Sequence, residues 1–276
     1  MAYKTILVCL NEISRVPQLI AVARQLGVKF NAHIAGLYIL PGVTIYPSAG
    51  YGVGPDIFDS TRVYFQDHLP KVKADFETAM GQDKLSFDFH LVDSSDSLIA
   101  TDVIENCRNV DLVLVSNTSR EKGEGVESDF VERMVLAAGR PILILPYKGD
   151  VILMTDQIMI AWNNTRESSR AAFDALPLLQ KAKHTRIVTA DVAPRRTMPA
   201  AAIAEALDRH GVKTEITSVH SDGMTTGETL QRAANDYGAG ILVMGAYGHS
   251  RFAELIFGGA TREVLRHLEL PVLMSH

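Results

Sequence analysis

Short runs of β-branched and aliphatic residues alternate with longer stretches of helical periodicity along the whole chain, and that alternation admits few folds. In the first half the strand-type runs lie at 5–10, 33–39, 86–92, 111–116 and 141–145. Between them, 16–26, 61–80, 96–107 and 127–138 place apolar side chains at i, i+3 and i+4, with Gly27 and Gly139 placed to stop helices. The same order then recurs, with strands at 157–162, 185–190, 213–219, 241–245 and 271–274 and helices at 166–182, 198–209, 226–237 and 259–268. Repeated strand–helix–strand units build parallel sheets covered by helices. The expected fold is therefore α/β: two tandem, open, parallel five-stranded sheets of Rossmann-like or flavodoxin-like type, with helices on both faces.

Two halves with one element order predict a duplication. TILVCLNEISR at 5–15 resembles QIMIAWNNTRESSR at 157–170, DLVLVSN at 111–117 resembles GILVMGA at 240–246, and RPILILP at 140–146 resembles LPVLMSH at 270–276. Matching Asn11 to Asn163 and Pro141 to Pro271 leaves the first half longer by about 22 residues. The surplus falls largely in residues 41–60, where four Gly and three Pro forbid a regular element and predict a lid, a binding segment or a disordered loop. The domains are expected over 1–147 and 156–276, with the linker beginning near Tyr147. The apolar strands 141–145 and 271–274 are expected to pack on each other, pairing the halves as an internal pseudo-dimer, with a homodimer as a further option.

Composition narrows the function classes. With 276 residues and a net charge of −5, the chain has no basic excess to neutralise nucleic acid or an anionic membrane. The apolar run at the start is too short for a signal h-region or a membrane span, so a cytoplasmic protein is expected. Cys9 and Cys107 are isolated thiols, which form neither a disulfide framework nor a metal site and read as buried reduced cysteines. The histidines lack ligand spacing, so no metal site is expected.

In a parallel sheet, ligands bind beyond the carboxyl ends of the strands, where strand order reverses. After the fourth strand of the second half, Gly245, Gly248 and Gly258 form a G-x2-G-x9-G spacing, followed by Gly259, Ala260 and Thr261 at the start of a helix. Glycines let backbone N–H groups approach an anion, and the helix terminus adds unpaired N–H groups and partial positive charge. Such a segment can cradle phosphates. Thr261 is placed either to donate its hydroxyl to a phosphate or to cap the helix.

This segment resembles the nucleotide-binding motif of the universal stress protein family, G-x2-G-x9-G-(S/T), and the whole chain is similar to the family's tandem form. The resemblance implies a five-stranded α/β domain, twice, with ATP, ADP or AMP, with or without magnesium, held between the end of the first strand and the glycine loop. Gly259 stands where the family places Ser or Thr, although its backbone N–H remains. The family's V-D-G-S pattern corresponds to Trp162-Asn163-Asn164-Thr165, so Asn163 keeps a hydrogen-bonding carbonyl and loses the charge. Asn163 and Asn164 are thus candidate ligand contacts, Asn163 alternatively forming an Asx turn or helix N-cap. The end of the second strand, Ala190-Asp191-Val192, resembles the family segment whose backbone reads the adenine edge, which makes Val192 and Asp191 further candidates, Asp191 alternatively being a solvated loop acid. His249 and Arg251 are phosphate contacts or solvent-facing loop residues. Trp162 lines the adenosine site or belongs to the core.

The first half lacks the glycines after its fourth strand, and its acidic GEGVESD segment would repel a triphosphate. It reads as a degenerate partner domain, in which Asn11 is a strand-end cap. No Walker sequence, nucleophile elbow or H-E-x-x-H occurs, so no catalytic residues are assigned and slow ATP hydrolysis is the most that is expected. The reading that follows is a stress-response regulatory module binding ATP or another adenine nucleotide in its second half. The alternative is a nucleotide-independent stress protein that binds a protein or a small apolar ligand.

Overall fold

A computed structural model describes residues 2–42, 60–118, 126–191, 198–248 and 259–276. They form two compact units, Lys4–Ala138 and Gly139–His276 with Met1–Tyr3. The long 41–60 loop, apart from its first two residues and its last, lies outside the described residues.

The unit Lys4–Ala138 carries β1 (Thr5–Cys9), β2 (His33–Leu40), β3 (Phe87–Asp93) and β4 (Leu112–Ser116), with α1 (Val16–Phe30), α2 (Ser60–Gln82), α3 (Ile99–Asn106) and α4 (Phe130–Ala137) between and after them. Its strands run in the order β3-β2-β1-β4, all parallel. The inner strands are almost wholly buried, as continuous apolar runs require when helices cover both faces. The edge strand β3 is half exposed. α1 packs on α2 and α3 on α4, the two pairs that right-handed crossovers place on opposite faces of this strand order.

The second unit carries β5 (Ile142–Leu145), β6 (Gln157–Ala161), β7 (His184–Ala190), β8 (Thr214–Val219), β9 (Ile241–Gly245) and β10 (Val272–Ser275). Its helices are α5 (Arg166–Asp174), α6 (Leu176–Leu179), α7 (Met198–Arg209), α8 (Thr226–Tyr237) and α9 (Ala260–Arg266). The strand order is β5-β10-β9-β6-β7-β8. Five strands are parallel, and β5 pairs antiparallel with β10, Leu143 facing Leu273. The α/β class and the mainly parallel sheets read from the alternation are those observed. The apolar strands 142–145 and 272–275 are neighbours because each is buried on both faces and each satisfies the other's backbone groups.

One local expectation is corrected. The single helix expected at 166–182 is broken at Ala175, because Pro177 lacks an N–H and its ring collides with the carbonyl four residues earlier. Met154 is exposed, whereas Met159 and Met244 are buried. Met154 precedes β6 and lies over Gly240, where a Cβ would stand only 1.8 Å from the Met154 carbonyl oxygen.

Candidate functional site

In the second unit the strand order reverses between β6 and β9: β6 is followed in space by β7 on one side, and β9 lies on the other. The register pairs Ala161 with Met244, so Trp162–Thr165 and Gly245–Gly248 leave the sheet as neighbours at its carboxyl edge. The two segments singled out in the sequence are thus brought together.

After β6, Asn163 and Asn164 are both exposed. The Asn163 side-chain oxygen accepts the Thr165 hydroxyl at 2.9 Å and the Thr165 N–H at 3.3 Å, an Asx turn. Asn164 takes a left-handed conformation, φ 58°, at the position where the resembled pattern has glycine. The helix cap itself is Thr165: its oxygen accepts the Ser168 N–H, while the Ser168 hydroxyl accepts the Thr165 N–H in a capping box. Trp162 is 7% exposed, and its indole N–H has no partner among the described residues. The indole thus lies in the core at the strand end, with an unmatched donor there.

After β9, the glycines prove to serve close packing. A Cβ on Gly245 would lie 2.3 Å from the Ser168 nitrogen and 2.4 Å from the Glu167 carbonyl carbon, so α5 rests its first turn directly on this residue. A Cβ on Gly248 would lie 2.8 Å from Glu167 Oε2 and 3.2 Å from Thr165 Oγ1. Between them Tyr247 is left-handed, φ 56°, and its N–H donates to Thr261 Oγ1 at 3.1 Å. Thr261 is 3% exposed and does not cap its helix; the N-cap of α9 is Gly259, without a side-chain bond, and Ala260 follows as the first helical residue. Thr261 therefore ties α9 to the turn after β9. Val192, His249, Arg251 and Gly258 lie outside the described residues.

Asp191, at the end of β7, is left-handed as well, φ 49°, and its carboxylate accepts the Ser221 N–H at 3.0 Å. That bond holds the Asp191 carboxyl below the usual carboxylate range.

Glu167 was missed by sequence reasoning. An acid in the first turn of a helix reads simply as a complement to the helix dipole. In the structure its side chain is only 8% exposed and Oε1 accepts from Arg166 Nε at 2.9 Å. Burial pushes the carboxyl up, but its own backbone N–H and the Arg166 guanidinium outweigh burial and hold it below the usual range. Gly227 was missed too: its Cβ would lie 2.6 Å from Glu263 Cβ, so α8 and α9 touch closely there.

The corresponding place in the other unit is closed. Both amide atoms of Asn11 are spent on Ile39, Nδ2 donating to its carbonyl at 2.8 Å and Oδ1 accepting its N–H at 3.0 Å. Beside it is a cavity of about 10 Å³ between Cys9, Ser116 and Phe130, scarcely the room of one water. Cys9 is buried there and its thiol is pushed up to about 12 by desolvation. Among the described residues no group of three His, Cys, Asp or Glu could hold a metal, and no helix is long and apolar enough to cross a membrane.

Residues 154–276, the part of the chain that contains β6 and β9, match the model of the universal stress protein family. Over these residues the chain is similar to the universal stress protein family. Universal stress protein Slr1230 of Synechocystis is 36% identical over 69 residues, which are 24% of this chain and 22% of that protein's length. A universal stress protein from Archaeoglobus fulgidus has the same fold over 98% of this chain and 95% of its own, with TM-score 0.71 and 15% identity. Another from that organism, in complex with dAMP, is 12% identical and covers 52% of this chain and 98% of its own, with TM-score 0.36. Its ligand is a property of that protein.

Proposed function

We propose that this chain is a universal stress protein of the tandem form, a regulatory module with halves 1–147 and 156–276 acting as an internal pseudo-dimer in the cytoplasm. Its second half binds an adenine nucleotide, ATP, ADP or AMP, with or without magnesium. One observation carries the reading: the parallel register of β6 and β9 brings Trp162–Thr165 and Gly245–Gly248 together at the strand-order reversal, the place where open α/β sheets hold ligands. The adenosine end is assigned to the β6 side, near the indole N–H of Trp162, which has no partner among the described residues, and the phosphate end to the turn after β9.

Trp162 is the only tryptophan in the chain, so its fluorescence reports the crevice directly. Mass spectrometry of nucleotide released from purified protein, with ATP, ADP and AMP titrations followed at Trp162, tests the proposal. The expected result is saturable binding by wild type that is lost in Gly248→Glu, whose carboxylate would enter beside Glu167. Absence of released nucleotide, together with no response at millimolar concentrations of all three, would overturn the reading in favour of nucleotide-independent partner binding. Glu167 beside Gly248 is the observation that favours that second reading.

A further inference from the structure

Glu167 stands where the nucleotide reading puts phosphate. The Gly248 Cα carries no side chain, and the first atom a methyl group there would meet is Glu167 Oε2, at 2.8 Å. The other carboxylate oxygen is held by Arg166, whose own side chain is 78% exposed and turned to solvent. The pair therefore presents its negative end to Gly248 and its positive end to water. Shielding from solvent leaves that charge poorly screened within the crevice. Thr165 Oγ1, the next atom met at 3.2 Å, already accepts the Ser168 N–H. The Asn163 side-chain oxygen is turned to Thr165 and accepts its hydroxyl. The nearest polar atoms to a side chain at Gly248 are thus a carboxylate oxygen and a hydroxyl already paired with Asn163 and Ser168.

We propose that Glu167 sets the charge selectivity of this site, discriminating against the triphosphate chain of ATP and favouring adenine ligands of low charge, from adenosine to AMP. The proposal rests on the nucleotide reading above and refines its ligand class. The repulsion acts through the Gly248 turn and leaves the adenosine end untouched, so adenosine and ATP should respond differently to removal of the carboxylate.

The test is a titration of wild type, Glu167→Gln and Glu167→Asp with adenosine, AMP and ATP in EDTA, read by calorimetry and Trp162 fluorescence. Wild type and Glu167→Asp are expected to bind adenosine and AMP more tightly than ATP, by about tenfold or more, a preference that shrinks as salt is raised. Glu167→Gln is expected to tighten ATP by about tenfold while changing adenosine by less than about twofold. ATP binding wild type as tightly as adenosine, or an ATP affinity that is the same in Glu167→Gln, would overturn the proposal. Adenosine bound with no ATP effect sinks the selectivity alone; no binding of any of the three ligands to any protein sinks the nucleotide reading itself. If Glu167→Gln fails to fold by circular dichroism, the wild-type adenosine-to-ATP ratio and its salt dependence decide the matter by themselves.

Discussion

The hydroxyl oxygen of Thr261 accepts the backbone N–H of Tyr247 at 3.1 Å, so the start of α9 holds the left-handed residue in the turn that follows β9. One buried side chain thus fixes the relation between the last helix and the glycine segment, a role that neither phosphate binding nor helix capping describes.

That bond makes Thr261→Val a sensitive probe. The substitution keeps the volume and removes the acceptor from a buried position, which costs about 1–3 kcal/mol when a backbone donor loses its partner. Thr261→Ser should recover most of the loss. Urea unfolding midpoints read both, and a valine variant as stable as wild type would show that the bond contributes nothing.

Gly245 and Gly248 should behave differently despite belonging to one motif. At Gly245 an added methyl meets backbone atoms of Ser168 and Glu167, which cannot move without displacing α5. Gly245→Ala is expected to destabilise by about 1–3 kcal/mol or more through overpacking. At Gly248 the first atom met is the tip of Glu167, which can swing aside, so Gly248→Ala should cost well under that. Thermal denaturation of the two variants side by side checks the contrast, and equal losses would refute it.

The acid side of the pH–stability curve should trace to a few carboxylates. Asp191 is held below its usual range by the Ser221 N–H, and Glu228 by the Thr225 N–H and hydroxyl in the capping box of α8. A carboxyl whose folded pKa is depressed stabilises the fold above its unfolded pKa, about 4 for these residues, and that contribution is lost as pH falls through the folded value. Stability is therefore expected to decline progressively below about pH 4, and Asp191→Asn combined with Glu228→Gln should flatten that decline. Urea midpoints between pH 7 and pH 3 measure it; an unchanged slope in the double variant would remove these two groups from the account.

Much of this was legible in the sequence. The alternation of strand and helix patterns located all ten strands among the described residues, because β-branched runs and the 3.6-residue period are local signals that tertiary packing here reinforces. Duplication and the glycine spacing singled out two segments that the structure brings together for the same reason: strand order reversal follows from βαβ handedness, and the ends of the first and fourth strands of a half must meet. Even the Asx turn at Asn163 was among the readings that residue type allowed.

What tertiary structure decided was the use each residue is put to. Spacing made Gly245 a phosphate-loop glycine, and packing makes it the seat of the first turn of α5. Spacing made Thr261 a cap or a ligand, and packing gives its oxygen to Tyr247. Glu167 carried no distinguishing local signal, because a first-turn acid is favourable in any helix; only the approach of α5 to β9 aims its Oε2 at Gly248. Local sequence determines which backbone conformations and which periodicities are available, since these depend on neighbours within a few residues. The distance between a carboxylate at 167 and a glycine at 248 depends on how two elements far apart in the chain close on each other, and no local rule contains that distance.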